Sequence, residues 1–186
     1  MTTDHDDAGW LLLLAQLPAS PSSARVALWR RLRAHGAASL LNGTWVLPHT
    51  AAHATFFGHL AEIVQAQGGR AFVLPVADVA PGTNAEITAR FRADREREYH
   101  ELSERCDAFL AELSKETAAG KFTFAELEEN EQDLDKLTGW LARIQAREFG
   151  SGRLDPEPGK RLAECRQALE AFAQSVYQAE RVDPAD

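Results

Sequence analysis

The chain has 186 residues, with 20 Lys+Arg against 28 Asp+Glu, so its formal net charge is −8. This length suits one domain or two small ones, and 45 % hydrophobic with 26 % charged residues excludes wholesale disorder. No stretch approaches the roughly 20 apolar residues of a membrane span, and the acidic start Asp4-His5-Asp6-Asp7 is unlike a secretion signal. We therefore expect a cytoplasmic protein with no membrane partner.

Charge is distributed unevenly along the chain. Residues 1–80 carry five basic and five acidic groups, whereas residues 81–186 carry 15 basic and 23 acidic groups, which accounts for the whole −8. The Pro- and Gly-bearing stretch at residues 75–82 is the predicted joint between these two domains. The overall acidity argues against polyanion binding by the whole surface, but it allows a basic face on the first domain.

The first domain is predicted to order as strand, helix, strand, strand, helix, strand. Ser20-Pro21 is typical of an N-cap followed by the first helical residue. Asn42-Gly43 is the strongest short hairpin signal, because both central residues of that turn must accept a positive φ. The predicted elements cover residues 10–17, 21–35, 38–41, 45–47, 50–67 and 71–76.

This order predicts a ferredoxin-like β-α-β-β-α-β domain, in which a four-stranded antiparallel sheet carries two helices on one face. The other face stays open for the second half of the chain or for another subunit. From residue 84 onward the pattern is helical, with helices at about 84–118, 123–149 and 157–181. The fold class is therefore α+β: a ferredoxin-like domain followed by three long helices.

Arg25 is the most informative residue of the first helix. On a helical wheel it lies in the middle of the apolar face formed by Leu28, Trp29 and Leu32, and a guanidinium that faces a core needs a partner. No acidic residue occupies the first turn, whose free N–H groups favour an oxyanion. Two interpretations stay open: Arg25 contacts an anion or phosphate, or it turns off the helix end to bind a carboxylate or a C-terminal carbonyl. Hydroxyls beside it are those of Ser20, Ser22 and Ser23.

Three further arginines lie elsewhere on the wheel of the first helix, as solvated charges should. Trp29 and Trp45 lie near this helix in the predicted fold, and arginines with aromatic rings can grip nucleic acid, whose backbone supplies most non-specific affinity. Trp29 is nevertheless most simply a core residue. The candidate residues for anion or nucleic-acid binding are Ser20, Ser22, Ser23, Arg25, Trp29, Arg30, Arg31 and Arg33.

The remaining polar and sulfur residues have structural interpretations. His49 and His53 have a spacing that can bind metal, but the sequence offers no HExxH or CxxC, so we expect surface histidines and neither a metal nor a cofactor. Arg95 and Glu148 interrupt apolar helical stripes and are predicted to pair, which fixes the register of two helices.

The two cysteines, Cys106 and Cys165, lie on apolar stripes and are expected in a helical core. Their neighbours Arg105 and Arg166 leave a redox role open. Because no nucleophile elbow, phosphate-binding glycine loop or dinucleotide fingerprint is present, we expect the protein not to be an enzyme.

Residues 25–48 contain R-V-x-x-W-R-x-L-R-x-x-G-A followed by G-x-W-x-L-P, and GGRAFVLPV and FAELEENEQDLDKLTGWLARIQAREFG follow. Over about residues 10–150 the chain resembles the N-terminal domain of ChrB-type chromate-resistance regulatory proteins. More distantly it resembles the ferredoxin-like domain of PaaX-type repressors and small CRISPR-associated nuclease subunits. The resemblance implies chromate-responsive gene control, with promoter DNA bound and then released with chromate.

Two departures from these families shape the expectations. ChrB proteins usually carry a further C-terminal domain, so we expect a stand-alone homologue of their N-terminal part. The CRISPR-associated nucleases place a metal-binding Asp at the end of the first strand, where this chain has Leu17-Pro18.

Three hypotheses follow. The first is a non-enzymatic regulator, a homodimer that binds promoter DNA, or chromate or sulfate, through its first helix. The second is an interaction module whose acidic helical half docks a separate chain of the ChrB C-terminal type. The third is an enzyme, either a nuclease of the CRISPR-associated type or a thiol-based chromate reductase.

Overall fold

The computed structural model describes residues 9–20, 22–149 and 157–182. The acidic start of the chain, the predicted first helical position at Pro21 and the predicted loop at residues 150–156 lie outside the described residues. The elements in chain order are β1 (Trp10–Gln16), α1 (Ser22–Ala34), β2 (Ala38–Leu41), β3 (Thr44–Pro48), α2 (Ala51–Ala66), β4 (Arg70–Val76), α3 (Pro81–Ala118), α4 (Phe124–Gln145) and α5 (Glu157–Val182).

The four strands form one antiparallel sheet in the order β2-β3-β1-β4. This order, with helices between β1 and β2 and between β3 and β4, confirms the predicted ferredoxin-like arrangement. The long helices that follow confirm the α+β class. Among the described helices, none has the length and apolar content required to cross a bilayer.

The turn between β2 and β3 differs in conformation from the prediction. Gly43 has φ 78°, but Asn42 does not have a positive φ, so the expected turn with two left-handed central residues is wrong. The β2–β3 ladder shifts register between Ser39 and Leu41. This irregularity lets the chain reverse with Gly43 alone in the left-handed region.

The register of the sheet divides its side chains between two faces. Leu13 of β1 lies opposite Trp45 of β3 and Val73 of β4, whereas Leu14 lies opposite Thr44 and Phe72. Residues opposite one another in an antiparallel sheet share a face. The face of Leu13 belongs to a core with buried residues of both first helices, which include Leu32, Phe57, Leu60 and Val64.

The start of α3 packs against the other face. Trp10 stacks on Phe91 with ring centroids 5.6 Å apart, and its Nε1 donates to Asn84 Oδ1 at 2.8 Å. Arg90 Nε donates to the carbonyl of Ser39 at 3.1 Å. The sheet face that the sequence left open is therefore covered in part, next to β1 and β2, by a segment of the same chain.

The chain divides into two compact units, residues 1–94 with 147–152 and residues 95–146 with 153–186. The first contains the sheet, α1, α2 and the start of α3; the second contains the rest of α3 with α4 and α5. The predicted joint at residues 75–82 ends at the first two residues of α3, whereas this division falls farther along α3. The physical reason is that Ile87 and Phe91 are buried in the core of the first unit.

The second unit is a helical core around α3, α4 and α5. Leu102, Cys106, Ile144 and Cys165 are fully buried in one hydrophobic cluster. Arg95 is also buried, and its Nη2 donates to Glu98 Oε1 of the same helix at 3.2 Å.

Glu148 does not lie in a helix, contrary to its prediction. It was expected on the stripe of a helix reaching residue 149, but α4 ends at Gln145. The Arg95–Glu148 pair itself stays a prediction.

Residues 147–149 fold against the end of α1 in the first unit. Arg147 Nη1 donates to the carbonyl of Arg33 at 3.2 Å, and Phe149 meets Phe91 edge-on at 5.8 Å. Gly36, which follows α1, has φ 76°, and a Cβ built on it would lie 2.9 Å from Cβ of Arg147. Glycine is thus required here by both backbone conformation and close approach.

We predict that Gly36→Ala destabilises the protein more than Gly68→Ala. Both glycines have nearly the same φ, 76° and 75°, but nothing lies within 4 Å of a Cβ on Gly68. Each change should cost about 1–2 kcal/mol of backbone strain, and crowding should add roughly 1–3 kcal/mol at Gly36. Urea denaturation measures both losses; equal losses would show that residues 147–149 do not pack on Gly36.

Candidate functional site

α1 contributes few side chains to the core of the first unit. Leu32 is its one buried residue in the described part of the chain, and Leu28 is half-buried. Trp29 is 52 % exposed, so the expectation that it is a core residue is wrong. The apolar face of α1 is therefore narrower than the wheel suggested, and an indole ring stands in solvent beside the arginines.

Arg25 is exposed, so its predicted place facing the core is wrong. Its Nη1 donates to the carbonyls of Pro18 at 3.0 Å and Ala19 at 2.5 Å. This geometry resembles the structural interpretation of Arg25, except that the carbonyls precede α1 instead of ending a helix. Both bonds use one of the three guanidinium nitrogens, so Nε and Nη2 are not occupied by them.

A cleft of about 680 Å³ lies between α1, the end of β1, the β2–β3 turn and the start of β4. We call it the tryptophan cleft. Its lining contains the cations Arg25 and Arg70 and no acidic residue. Its apolar lining includes Leu28, Trp29, Trp45 and Phe72.

Two lining residues of the tryptophan cleft, Arg70 and Phe72, were missed by the sequence analysis. They alternate with the buried Ala71 on β4, so they emerge on the side of that strand opposite to the core. Phe72 is 53 % exposed. The outward positions of β4 hold Arg70, Phe72, Leu74 and Val76, so no local pattern marked Phe72 as a lining residue.

The serines do not join this cleft. Ser20 and Ser23 line a separate groove together with Ala24 and Gln67, and Ser22 is exposed. Arg25 does not line that groove. None of the three serines lines the tryptophan cleft with Arg25.

The remaining arginines of α1 divide into two kinds. Arg33 Nη1 lies 2.8 Å from Asp94 Oδ2, and the carboxylate side chain is only 6 % exposed, so the prediction of Arg33 as a solvated charge is wrong. Arg30 and Arg31 are exposed and form no ion pair with any described residue. Two of the four predicted arginines are thus solvated charges, and α1 itself holds no acid to offset them.

The first unit carries a positive charge, in contrast to the whole chain. Its described residues include eight arginines, no lysine and five acidic residues, so 8 − 5 gives +3 against −8 for the full sequence. One of the acids, Asp94, is paired with Arg33. The predicted basic face therefore exists at the level of the first unit.

His53 has structural contacts, whereas His49 is exposed as expected. His53 Nδ1 lies 2.7 Å from the carbonyl oxygen of Pro48, and because a carbonyl only accepts, this nitrogen carries the proton. Its ring meets Phe149 edge-on at 5.0 Å. Within the described residues no three His, Cys, Asp or Glu side chains are grouped to hold a metal. The expectation of no metal stays a prediction.

The cysteines lie together in the second unit. Both are fully buried, and Cys165 Sγ donates to the carbonyl of Cys106 at 3.6 Å. Burial raises the pKa of the Cys106 thiol and raises the pKa of Cys165 to about 12. Both thiols are therefore protonated and inaccessible at neutral pH. Because the thiolate is the reactive form, we expect neither to react in the folded protein.

A buried carboxyl group also lies in the second unit. Glu116 is 7 % exposed, and Asn130 Nδ2 donates to its Oε2 at 2.8 Å. Burial raises the pKa of Glu116; the Asn130 hydrogen bond lowers this pKa, and the hydrogen-bonded carboxyl of Glu126 raises it again. The folded protein therefore holds a proton on Glu116 more tightly than the unfolded chain does.

Comparison with known proteins connects the chain with one family. The family model described as Protein ChrB, N-terminal, matches residues 25–183, which includes α1 from Arg25 onward. Protein ChrB of Cupriavidus metallidurans is 35 % identical over 95 residues, an alignment covering 51 % of this chain and 29 % of that protein. The chain thus matches less than a third of the relative's length.

We predict that the thiols of the native protein do not react with Ellman's reagent within minutes at pH 8, because both are buried and protonated. Unfolding in urea should release two reactive thiols per chain. Fast reaction of either cysteine in the native protein would contradict the buried placement.

We predict that Glu116→Gln stabilises the protein at pH 7, because glutamine can accept from Asn130 without a charge to bury. A raised carboxyl pKa contributes stability below its unfolded value, near pH 4, that is lost as pH rises through the folded value. The gain in thermal midpoint should therefore shrink towards pH 4. Glu129→Gln, at an exposed position of α4, is the control; an equal gain there would assign the effect to net charge.

Proposed function

The chain belongs to the family described as Protein ChrB, N-terminal, and on this premise we propose that it is a chromate-resistance-associated regulatory protein. In this proposal the protein is not an enzyme. It binds promoter DNA or an oxyanion through the exposed face of α1, and it acts in the cytoplasm, where the DNA is.

The observation that supports nucleic-acid binding is the charge on α1. Arg30 and Arg31 are exposed without an ion-pair partner among the described residues, and Arg25 of the same helix lines the tryptophan cleft with Arg70. Phosphate contacts of this kind supply most of the affinity for DNA that does not depend on sequence. An acidic chain that concentrates unpaired arginines on one helix is suited to a polyanion at that helix.

The environment of the reactive residue types supports a non-enzymatic role. The chromate-reductase hypothesis requires a thiolate, and burial raises the pKa of both cysteine thiols. The nuclease hypothesis requires a carboxylate at the end of β1, where the chain has Gln16 and Leu17 and where no acidic residue lines the adjoining cleft.

An oxyanion is the second ligand within the same proposal. Arg25, whose Nε and Nη2 are not used by the carbonyls of Pro18 and Ala19, lines the tryptophan cleft together with Arg70. Guanidinium groups match tetrahedral oxyanions by charge and by their forked donors. Chromate and sulfate share that charge and shape, so these residues suit either anion.

We also propose that the protein acts as a homodimer. β4 is an edge strand of the sheet and exposes Leu74, which lies outside the tryptophan cleft. Exposed apolar side chains on an edge strand are typical of an interface. Analytical ultracentrifugation of the intact chain tests this part, with a monomer at micromolar concentration as the contrary result.

We predict that Arg30→Ala/Arg31→Ala weakens binding to a 25-base-pair duplex. Each phosphate contact contributes about 0.9 to the slope of log K against log salt, so the slope should fall by up to about 2. Fluorescence anisotropy between 50 and 200 mM NaCl measures this slope.

The matched control for this pair is Arg92→Ala/Arg105→Ala, which removes the same charge from exposed positions of α3. It should leave the salt slope close to that of the unchanged protein. Equal losses in the two double variants would contradict a role for α1, and no binding by the unchanged protein would contradict the DNA arm.

We predict that millimolar sulfate or chromate raises the thermal midpoint, because a ligand that binds only the folded state stabilises it by mass action. The thermal midpoint of Arg25→Ala should not rise with either anion, whatever its value without anion, because the guanidinium is the group proposed to bind the anion. A rise that persists in Arg25→Ala would show that the anion binds at another place. No rise in the unchanged protein would contradict oxyanion binding.

A further inference from the structure

The tryptophan cleft exposes aromatic surface that the fold does not use. Trp29 and Phe72 are each about half exposed, at 52 % and 53 %, and both line the cleft with Trp45. None of the three rings stacks on another aromatic ring in the part of the chain that the structure describes. Water-exposed aromatic rings cost free energy in the absence of a ligand.

The charge around these rings is of one sign. Arg25 and Arg70 line the same cleft, and no acidic residue does. Aromatic faces within a basic groove are the combination that binds single-stranded nucleic acid: bases stack on the rings and phosphates meet the cations. The charge complementarity points to an anionic partner with flat apolar parts.

The size of the cleft limits which part of a nucleic acid enters it. At about 680 Å³ it is of the size of a small-molecule site, whereas a stacked duplex presents only its edges and backbone. A base can reach the rings only when it is out of the stack. Trp29 reaches the cleft from α1, on the core side of the sheet, whereas Phe72 reaches it from the opposite face of β4, so one base stacks on Trp29 alone.

We propose that the tryptophan cleft binds one unpaired nucleobase, stacked against Trp29, with Arg25 and Arg70 at the flanking phosphates. The inference rests on the proposed function, because it requires that α1 binds nucleic acid. It adds a preference: DNA with an unpaired base, as at a bulge or a melted segment, binds more tightly than the same DNA fully paired.

The test compares three fluorescein-labelled DNAs by anisotropy at one salt concentration: a 25-base-pair duplex, the same duplex with one bulged thymine, and a 12-nucleotide single strand. Loss of one base–aromatic stack corresponds to roughly 5- to 150-fold in affinity. Trp29→Ala should lose at least fivefold more affinity for the bulged duplex and for the single strand than for the paired duplex. Trp29→Phe, which keeps an aromatic face, should retain most of the preference.

Phe124→Ala is the matched control, because it removes an aromatic ring with 49 % exposure in the second unit. It should leave all three affinities unchanged. Melting curves of each variant establish that it is folded.

Two results would overturn the inference and leave the proposed function in place: no preference of the unchanged protein for the bulge, or a preference that survives Trp29→Ala. No binding to any of the three DNAs would overturn the inference together with the DNA arm of the proposed function.

Discussion

The pairing register of β1 between β3 and β4 is the constraint on which the first unit depends. It places Leu13 on the buried face and Leu14 on the other, and it does the same for their partners on both neighbouring strands. A slip of one residue would exchange the two faces. The same register brings Phe72 and Arg70 to the side of β4 away from the core, so the core and the lining of the tryptophan cleft have one cause.

A second consequence concerns α1, which is held by few core contacts. Leu32 anchors it, Arg33 pairs with Asp94, and Arg147 donates to the carbonyl of Arg33 in its final turn. These contacts hold the C-terminal half of the helix. Its remaining surface is therefore free to present Trp29 and the solvated arginines, which is what a ligand-binding helix on a rigid scaffold requires.

The second unit shows the opposite use of reactive side chains. Cys106 and Cys165 lie in its core, where burial raises the pKa of each thiol, and Glu116 is held by Asn130 in a setting that favours its protonated form. In this environment, groups that could do chemistry at an exposed site contribute packing and hydrogen bonds. The charge asymmetry of the sequence thus corresponds to a division of roles between the basic first unit and the helical second unit.

The sequence by itself determined the order of the elements and most of their bounds, because the signals are local: short apolar segments in the strands, Thr50 before the second helix, and Gly36 and Gly68 after the first two helices. The ferredoxin-like topology followed from that order. Only the tertiary structure decided which residues of α1 meet solvent, because exposure depends on what packs against a helix. Wheel geometry placed Arg25 and Trp29 towards the core, whereas the sheet takes up only Leu28 and Leu32. Partners distant in sequence, such as Asp94 for Arg33 and Arg70 for the cleft, leave no local signal, and chain folding alone brings them together.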